Sequence, residues 1–498
     1  MSSRPVPRHL HVAVIVMLLV TTVAGCVVQR NPVTGERRAY GWAWSQERQL
    51  GLQADGEIAT QFGIYDDAEV QAYVEAVAER VLAESHMRRP DAEAQFRETP
   101  FTFRVLDSPV VNAFALPGGF VYVTRGLLAH MNNEAQLAVV LGHEIGHVAG
   151  RHASRRAFEQ QLGQIGVIGG AILGQEVLGG QAAQMIMDLG GTAAQLLLLR
   201  YGRDDERESD RLGVEYAALN GYEVAEASEF FRSLRRISEE QQGIPTWLSS
   251  HPDPGEREQT MLRLADEWRR EVNLHRTGHE ELMRIVDGIV VGEDPRQGFT
   301  QDGYFYHPDL AFRFPVPSGY QVLNQPSQVL MVEPEQRAIM GLTISREASL
   351  QAAANRFTSQ NGVSVVEQAS TTSGGNPARY VLADVQTEQA AIRVLSFYIQ
   401  HRNNIYNIIG YSQRDAFGTY QDTFLRTMTN FQTVTDSRIL DAQPYRLQVI
   451  TASRTAPFQS FVPSDLPPDI TARDLAIINQ VEIDEQIQQG RLLKIPTR

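Results

Sequence analysis

The sequence predicts an α+β fold divided into three folded parts. Apolar residues recur mostly at helical spacing from Ser45 to about Val290, whereas beyond Gly298 they alternate as they do in strands. An acidic run, Val291–Gly298, separates the two patterns and is the predicted linker. The chain has 498 residues, of which 43% are hydrophobic and 21% charged, so it suits several folded domains and excludes a disordered chain. The predicted domain boundaries are 26–290, 298–435 and 444–498.

The first part is predicted to be mainly helical with a small sheet. Apolar residues at helical spacing predict two helices, one with Val70, Tyr73, Val74, Val77 and Val81 and one with Phe230, Leu234 and Ile237. Short strands are predicted over Phe101–Val105 and Gly119–Thr124. The second of these strands follows Pro117 and Gly118, which form a turn signal.

The second part is predicted to be α+β, and the third to be a small unit after Pro444. The alternating pattern predicts strands over Ala378–Val385, Ala391–Gln400 and Asn404–Tyr411, and helices over Leu350–Thr358 and Ala416–Phe431. The second part has no recognisable catalytic constellation, so His307 and His401 are interpreted as structural residues.

The charge balance argues against nucleic-acid binding. Asp and Glu number 59 against 45 Lys and Arg, which gives a net charge of -14. The only lysine is Lys494, so no polybasic face is available for phosphate backbones. A single cysteine, Cys26, also excludes an intramolecular disulfide.

The first 26 residues resemble a bacterial lipoprotein signal. Arg4 and Arg8 supply positive charge, an apolar run follows from Val12 to Val20, and Val23-Ala24-Gly25-Cys26 closes the segment. The apolar run is too short for a permanent membrane-spanning helix. We therefore expect residues 1–25 to be removed and Cys26 to be lipidated, with the chain anchored to the outer membrane and facing the periplasm. An ordinary signal peptide or a membrane anchor is the alternative.

The strongest chemical signal is the run His143-Glu144-Ile145-Gly146-His147. Residues four apart lie about 40° apart around a helix axis, so His143 and His147 present both imidazoles to one point, where a zinc ion can accept them. Glu144 then lies beside the ion, and its carboxylate can take a proton from the attacking water and deliver it to the leaving amine. A core helix with two incidental histidines is the alternative.

A catalytic zinc needs a third protein ligand and an open position for water. Ala153 stands where one known pattern has a third histidine, and His152 misses that place by one residue, so His152 is interpreted as structural or surface-exposed. A later acidic run offers a different ligand, because Glu206 and Asp210 share one helical face. Glu206 is predicted to ligate the metal, and Asp210 to accept a hydrogen bond from a ligating histidine. In isolation this run would be a solvated acidic helix.

With these elements in this order, the chain resembles the zinc metallopeptidase family that includes HtpX-like proteases, CaaX prenyl proteases and periplasmic β-barrel-assembly-enhancing proteases. The match covers about 45–287 and consists of Asn112–Gly119, His143–His147, Glu206–Asp210, and His251-Pro252 with Arg257. The resemblance implies a gluzincin-type peptidase domain with one Zn²⁺ per chain. Gly202 and Ser209 stand where the family usually has serine and alanine.

The resemblance also implies an edge strand above the zinc that carries Asn112, Ala113 and Phe114. The unpaired N–H and C=O groups of such a strand can bind an extended chain, so the implied substrates are unfolded or locally extended polypeptides. An ordinary hairpin is the alternative interpretation.

Two roles stay open for His251. By resemblance, His251 could be a catalytic residue that stabilises the tetrahedral oxyanion. Alternatively, it approaches the zinc in a resting state and keeps the enzyme inactive. Tyr201 and Arg203 are the other oxyanion candidates. The glycine-rich stretch between Gln161 and Leu199 is interpreted as a mobile lid, with close helix packing as the alternative.

The carboxyl-terminal residues resemble the second half of a LysM module. The resemblance rests on Leu475–Asn479, Gly490 and Leu493–Pro496. It implies binding to N-acetylglucosamine polymers such as peptidoglycan. The first half, Tyr445–Phe461, lacks the Gly-Asp-Thr turn that is usual in such modules.

These observations together predict a lipid-anchored periplasmic zinc endopeptidase that degrades unfolded or misassembled envelope proteins. The outer-membrane protein assembly machinery is a further implied partner. The alternative is a non-proteolytic assembly chaperone or scaffold, whose metal domain is a binding platform for outer-membrane proteins.

Overall fold

The computed structural model describes residues 27–166, 191–197, 201–240, 251, 254–386 and 391–498. The predicted signal segment with Cys26, and most of the predicted lid between Gln161 and Leu199, lie outside these residues. Helices and strands are both abundant, which confirms the α+β prediction at the level of fold class. Among the described helices, none combines the length and the apolar character needed to cross a membrane.

The chain divides into two compact units. The first contains residues up to 292 apart from 60–62, together with 446–497, and the second contains 293–445. The boundary after Gly292 falls inside the predicted linker, 291–298. Residues 446–497, called the carboxyl-terminal segment below, are thus grouped with the first unit. Their predicted status as a domain of their own stays a prediction.

Helices make up most of the first unit. They are Trp44–Phe62, Ala68–Ala83, Ala94–Arg97, Arg125–His130, Glu134–Gly150, His152–Gly166, Gly191–Leu197, Arg203–Leu219, Ala227–Glu240, Pro254–Trp268, His279–Val286 and Ala472–Ile478, with 3-10 turns at Val224–Glu226 and Phe458–Phe461. The helix Ala68–Ala83 begins where the Asp67 carboxylate accepts the N–H groups of Glu69 and Val70. It buries four of the five apolar residues that predicted it.

The first unit contains one three-stranded sheet. Its strands are Thr102–Leu106, Phe120–Thr124 and Ala113–Leu116, in that spatial order. The first two run parallel and the last two antiparallel, so Ala113–Leu116 lies at an edge of the sheet. Two further strands, Val27–Arg30 and Arg37–Tyr40, pair with each other.

Two glycines allow two helices of the first unit to pack closely. We call Glu134–Gly150 the histidine helix and Arg203–Leu219 the glutamate helix. A Cβ atom on Gly142 would lie 2.8 Å from the carbonyl oxygen of Gly213, and one on Gly213 would lie 2.7 Å from the backbone nitrogen of His143. Larger residues at either position would force the helices apart. This close approach brings His143 and Glu206 to the same side of the contact.

The histidine helix has a defined start and end. The Asn133 side chain accepts the N–H of Gln136 at its first turn, and Arg151 ends it in a left-handed conformation with φ 55°. The buried guanidinium of Arg151 donates to Glu47 Oε1 over 2.9 Å and to the carbonyl of Trp42 over 2.8 Å. Burial raises the pKa of Glu47 to about 7, although Arg151 opposes this shift.

Replacing Arg151 by alanine is expected to lower the free energy of unfolding by about 3–5 kcal/mol, because the Glu47 carboxylate would stay buried without its cation. The matched control is Arg263→Ala, whose side chain is 61% exposed and pairs with Glu267. It should cost about 0–1 kcal/mol. Urea unfolding of both variants measures the difference, and equal losses would contradict the assignment of Arg151 as a buried ion-pair partner.

The carboxyl-terminal segment joins its two ends in a short sheet. Arg446–Thr451 pairs antiparallel with Leu492–Thr497, and Ala456–Pro457 pairs with Gln486–Ile487. The segment has a small hydrophobic cluster of its own around Phe458 and Leu475. The resemblance to a LysM module stays a prediction.

A buried lysine of this segment forms hydrogen bonds with the rest of the first unit. Nζ of Lys494 donates to the carbonyls of Ala129 and Met131 over 2.6 and 2.9 Å. These carbonyls lie at the end of the short helix Arg125–His130, where a cation interacts favourably with the helix dipole. Burial holds the pKa of Lys494 well below its usual value.

The second unit is built around antiparallel strands. A seven-stranded sheet contains, in spatial order, Val363–Ser373, Asn376–Gln386, Ala391–His401, Asn404–Gln413, Ala338–Ser345, Gln328–Val332 and Gln321–Gln325. A four-stranded sheet contains Gln432–Thr433, Phe312–Pro315, Tyr304–His307 and Phe299–Gln301. The helices are Leu350–Thr358, Phe417–Thr429 and Ser437–Leu440, with 3-10 turns at Pro295–Gln297 and Arg414–Ala416. The three strands and two helices predicted here are present, with ends that differ by a few residues.

Candidate metal centre

Four side chains of the types that bind metal ions meet at one buried point in the first unit. They are His143 and His147 of the histidine helix, Glu206 of the glutamate helix, and His251, and their ligand atoms lie within 4.8 Å of one another. The Nε2 atoms of the first two histidines are 2.9 Å apart. Nδ1 of His251 lies 3.2 Å from Nε2 of His143 and 3.1 Å from Oε1 of Glu206.

These separations fit a single zinc ion. Zinc bonds of about 2.0–2.1 Å at tetrahedral angles put neighbouring ligand atoms roughly 3.3 Å apart. The Nε2 atoms of the two histidines are 2.9 Å apart, and Nε2 of His147 is 3.5 Å from Oε1 of Glu206. These two separations lie just below and just above the distance expected around zinc. Imidazole and carboxylate groups are the ligands that zinc takes in proteins. His143, His147, Glu206 and His251 could therefore hold one zinc ion in a four-coordinate site.

Asp210 lies at the outer nitrogen of His143. Its Oδ1 is 3.0 Å from Nδ1 of the imidazole and also accepts a hydrogen bond from Arg257. A proton on Nδ1 donated to this carboxylate leaves the lone pair of Nε2 for a metal. The structure thus brings Asp210 to the position that the sequence analysis gave it, and it adds Arg257, whose Nη1 is 3.5 Å from Oε2 of Glu206.

His152 and Glu208 give His147 a similar outer contact, which the sequence analysis missed. Nδ1 of His152 is 2.9 Å from Nδ1 of His147 and 3.3 Å from the hydroxyl of Ser209, and its Nε2 is 3.0 Å from the Glu208 carboxylate. His152 is fully buried, so it is not a surface residue. Gly150 leaves room for this arrangement, because a Cβ atom there would lie 2.2 Å from Nε2 of His152.

The contact with Glu208 assigns the protons along this chain of residues. Burial lowers the pKa of His152, which favours its neutral ring, and the carboxylate of Glu208 can only accept. Nε2 of His152 therefore carries the proton and its Nδ1 carries the lone pair. Nδ1–H of His147 donates to that lone pair, which leaves Nε2 of His147 free to bind a metal.

Glu144 lies beside the cluster but is not part of it. It is fully buried, and within the described residues neither carboxylate oxygen has a hydrogen-bond partner. Nε2 of His251 lies 3.6 Å from Oε1. Burial raises the pKa of Glu144, although the nearby histidines oppose this shift. Burying a carboxylate without hydrogen bonds costs free energy of folding. Such an unfavourable environment is typical of a group that takes part in proton transfer.

Opposite charges in the cluster shift its pKa values in opposite directions. Burial alone would raise the pKa of Glu206, but the imidazoles of His251 and His143 outweigh burial and hold that pKa well below its usual range. Burial and Arg257 oppose charge on His143, yet hydrogen bonds to Asp210 and Glu206 raise its pKa to about 9. Burial lowers the pKa of His147 well below its usual value. The site therefore favours an anionic glutamate, as metal binding requires.

His251 could be a fourth ligand, whereas the sequence predicts three protein ligands and an open position for water. Its imidazole lies among the ligand atoms of the other three side chains, where it could contact a bound ion. Tyr201, one of the oxyanion candidates, stacks on His147 with ring centroids 3.9 Å apart. The cavity lined by His147 and Tyr201 has a volume of only about 10 Å³, enough for about one water molecule. The arrangement is that of a closed site.

The predicted edge strand runs close to this cavity. Ala115 and Leu116, at the end of the strand Ala113–Leu116, line the same cavity as His147. Within the described residues no strand pairs with the outer edge of this one. Ala113 and Phe114 are buried, as is Asn112, just before the strand. The three predicted substrate-binding residues thus lie on or next to a strand whose outer edge pairs with no described strand, and their role stays a prediction.

The sequence is similar to those of known peptidases, which agrees with a metal-binding role for the cluster. Residues 68–265 match the model of peptidase family M48. A relative named β-barrel assembly-enhancing protease, from Yersinia pestis, is 31% identical over 39% of this chain and 38% of its own length. The metalloendopeptidase OMA1 of cattle mitochondria is 29% identical over 41% of this chain and 42% of its own length. The chain thus spans about two fifths of the length of these relatives.

Likeness to solved structures is weak. The match with the solution structure of cyanobacterial PsbP from Synechocystis covers 26% of this chain and 91% of that protein, with 12% identity and a TM-score of 0.22. The family model and the relatives confirm the resemblance drawn from the four sequence elements. Zinc, when bound, supplies Lewis-acid polarisation of a carbonyl group and activation of water at neutral pH. Over residues 68–265 the chain is thus similar to peptidase family M48, whose members are zinc-dependent metallopeptidases.

Proposed function

We propose that this protein is a zinc endopeptidase that degrades unfolded or misassembled proteins of the bacterial envelope. The observation that carries the proposal is the Glu144 carboxylate, buried and without a hydrogen bond among the described residues, beside a ligand set that fits zinc. His143, His147 and Glu206 are proposed as the zinc ligands of the working enzyme, and Glu144 as the general base. Asp210 positions His143.

The substrate class is proposed from the edge strand beside the site. A strand with a free edge binds another chain through backbone hydrogen bonds, which needs an extended partner and little sequence preference. Folded proteins hide their backbone groups in their own secondary structure. The strand Ala113–Leu116, preceded by Asn112, is therefore proposed to bind unfolded polypeptides.

The proposed location rests on the start of the sequence and on the names of relatives. The lipoprotein-like signal supports lipidation at Cys26 and anchoring to the outer membrane on its periplasmic side. Relatives named β-barrel assembly-enhancing protease support a role next to the outer-membrane assembly machinery.

Zinc analysis combined with a cleavage assay tests the proposed activity. The purified protein is expected to contain one zinc ion per chain and to cleave unfolded casein. A chelator should abolish cleavage and added zinc should restore it, whereas a folded, disulfide-intact protein should stay uncut. Casein cleavage that persists after complete zinc removal would contradict the proposal.

The variant His251→Ala distinguishes the two roles left open for that residue. If His251 closes the site at rest, the open form is a minor state of about 0.1–10%, and removing the imidazole should raise kcat/KM for casein about 10-fold or more. If His251 stabilises the oxyanion, kcat should instead fall by about 10²–10³. The contact of its Nδ1 with the other ligands favours the rise. His275→Ala, which removes an exposed histidine, is the matched control.

A further inference from the structure

One face of a two-stranded hairpin in the first unit packs against the end of the histidine helix. The hairpin consists of the strands 27–30 and 37–40, and we call it the arginine hairpin. The side-chain oxygen of Gln29 accepts a hydrogen bond from Nη1 of Arg151 over 2.9 Å. The Arg151 guanidinium also lies over the ring of Tyr40, with its carbon 3.8 Å from the ring centroid. These contacts fix the hairpin to the residue that ends the histidine helix.

The opposite face of the arginine hairpin is open to solvent. Side chains alternate between the two faces of a strand, so Val28 and Arg30 point the same way. Their direct partners on the second strand, Ala39 and Arg37, share that face with them. Val28 is 56% exposed, and both arginines are exposed. This face thus presents an exposed valine beside two cations.

The two arginines on this face have no anionic partner in the described part of the chain. Arg30 and Arg37 lie directly opposite each other, and like charges in that position destabilise a strand pair. Within the described residues neither of them forms an ion pair, whereas Arg38, on the packed face, pairs with Glu36 over 3.1 Å. An anion from outside the chain would remove the repulsion between the two guanidinium groups.

The place of the hairpin in the sequence indicates which anion this is. Residue 26 directly precedes the first strand, and Cys26 is the residue proposed above to be lipidated. Acyl chains on Cys26 would hold the hairpin next to a membrane surface. The chain as a whole has a net charge of -14, so anionic lipids would repel most of its surface. A local cationic face is therefore the part of the protein that such a membrane would attract.

We propose that the exposed face of the arginine hairpin lies on the surface of a membrane that contains anionic lipids. Arg30 and Arg37 would bind the phosphate groups of the lipids, and Val28 would contact the boundary between headgroups and acyl chains. This inference rests on the proposed lipid anchor. The anchor would supply the affinity for the membrane, and the two arginines would set the orientation of the protein on it.

Such an orientation would extend to the metal centre, because the hairpin is bonded to the histidine helix. In addition to the contacts of Arg151, the Asn31 side chain donates to the carbonyl of Gly150 over 3.1 Å. Gly150 is the last residue of that helix and lies about one turn beyond His147. A hairpin held on the membrane would therefore keep the zinc ligands at a set distance from the bilayer. The substrates would be polypeptides close to the membrane surface.

Fluorescence quenching on vesicles tests the proposal. The acylated protein carries a fluorophore on Thr34→Cys, at the exposed turn of the hairpin. Cys26 is the only native cysteine and would be acylated, so no other thiol reacts with the fluorophore. The vesicles contain phosphatidylcholine alone or mixed with phosphatidylglycerol, and a quencher is attached to the lipid headgroups. Quenching should be stronger with phosphatidylglycerol, and high salt should reduce the difference.

Replacing the arginines should remove the preference for the anionic vesicles. Each arginine near an anionic surface should shift the equilibrium towards the docked hairpin about 5-fold, so Arg30→Gln and Arg37→Gln together should weaken docking about 30-fold. Neither change breaks an ion pair within the described residues, and thermal scans check that the variants are folded. Arg263→Gln, at an arginine whose side chain is 61% exposed, is the matched control and should not change the quenching.

The outcomes separate this proposal from the proposed anchor and activity. Equal quenching in the two kinds of vesicle, or a difference that survives the double arginine variant, would overturn the proposal. Mass spectrometry shows separately whether Cys26 is acylated. If it is not, the same test uses Cys26→Ser with a histidine tag before residue 26, held on nickel-chelating lipid. Quenching requires no cleavage, so it is independent of the peptidase assays.

Discussion

Replacing Glu144 by glutamine is expected to lower kcat for casein cleavage by about 10²–10⁴-fold, the usual contribution of a general base. The amide keeps the size of the side chain but cannot take a proton from water. Because neither oxygen of Glu144 has a hydrogen-bond partner among the described residues, the change breaks no hydrogen bond and removes a buried charge. The variant should therefore fold at least as stably as the native protein.

Zinc content separates this effect from damage to the metal site. Glu144 is not one of the four clustered side chains, so the variant should still contain one zinc ion per chain. Glu267→Gln removes a charge from an exposed residue of the same unit and serves as the matched control. A variant that loses its zinc, or one that cleaves casein at the native rate, would contradict the assignment of Glu144 as the base.

The variant Glu144→Gln also distinguishes the protease interpretation from the chaperone interpretation. A chaperone whose metal domain only binds clients needs no general base, so client rescue would survive Glu144→Gln while cleavage is lost. Loss of both would favour proteolysis as the working activity. The two measurements must use the same protein preparation, because zinc-free molecules would fail in either assay.

Spacing along single helices explains what the sequence predicted of the metal site. His143 and His147 are one turn apart on the histidine helix, and Glu206 and Asp210 are one turn apart on the glutamate helix, so each pair follows from helical geometry alone. That the two helices meet could not be derived from spacing. The physical reason for the meeting, the close contact at Gly142 and Gly213, involves two glycines far apart in the sequence.

The position of the His152 side chain could not be predicted because the backbone leaves the helix before it. His152 was interpreted from its distance along the chain to His147, but Arg151 adopts φ 55° and ends the histidine helix one residue earlier. A new helix starts at His152, so the helical spacing no longer says where the imidazole points. Gly150 was a usable signal, because the space it leaves is filled by the His152 ring.

Contacts between distant segments could not be derived from the sequence. The carboxyl-terminal segment, predicted as a unit of its own after Pro444, makes such a contact with the rest of the first unit. Its lysine, Lys494, lies within an apolar run and is the only one in the chain. A lysine in such a run suggests a buried amino group with carbonyl partners, but the sequence does not reveal that those partners are Ala129 and Met131.

His152→Ala is expected to weaken zinc binding by about 10- to 100-fold, the usual effect of losing the outer partner of a metal-binding histidine. His152 holds the proton of His147 on Nδ1, so without it the ring of His147 can turn and can carry its proton on Nε2 instead. Chelator competition at fixed pH measures the zinc Kd directly. Loss of packing alone would lower the Tm of the zinc-free protein without changing that constant.

Conservative variants make the positioning role of His152 testable apart from stability. His152→Asn keeps an acceptor in place of Nδ1 and should recover part of the zinc affinity, whereas Gly150→Ala should lose it, since the new Cβ would collide with the His152 ring. Glu208→Gln keeps an acceptor for Nε2–H but removes the charge, so its effect should be smaller than that of His152→Ala. If His152→Ala bound zinc as tightly as the native protein, the contact with His147 would be only core packing. If His152 is a positioning residue, zinc affinity should be lowest in His152→Ala, higher in His152→Asn and highest in the native protein.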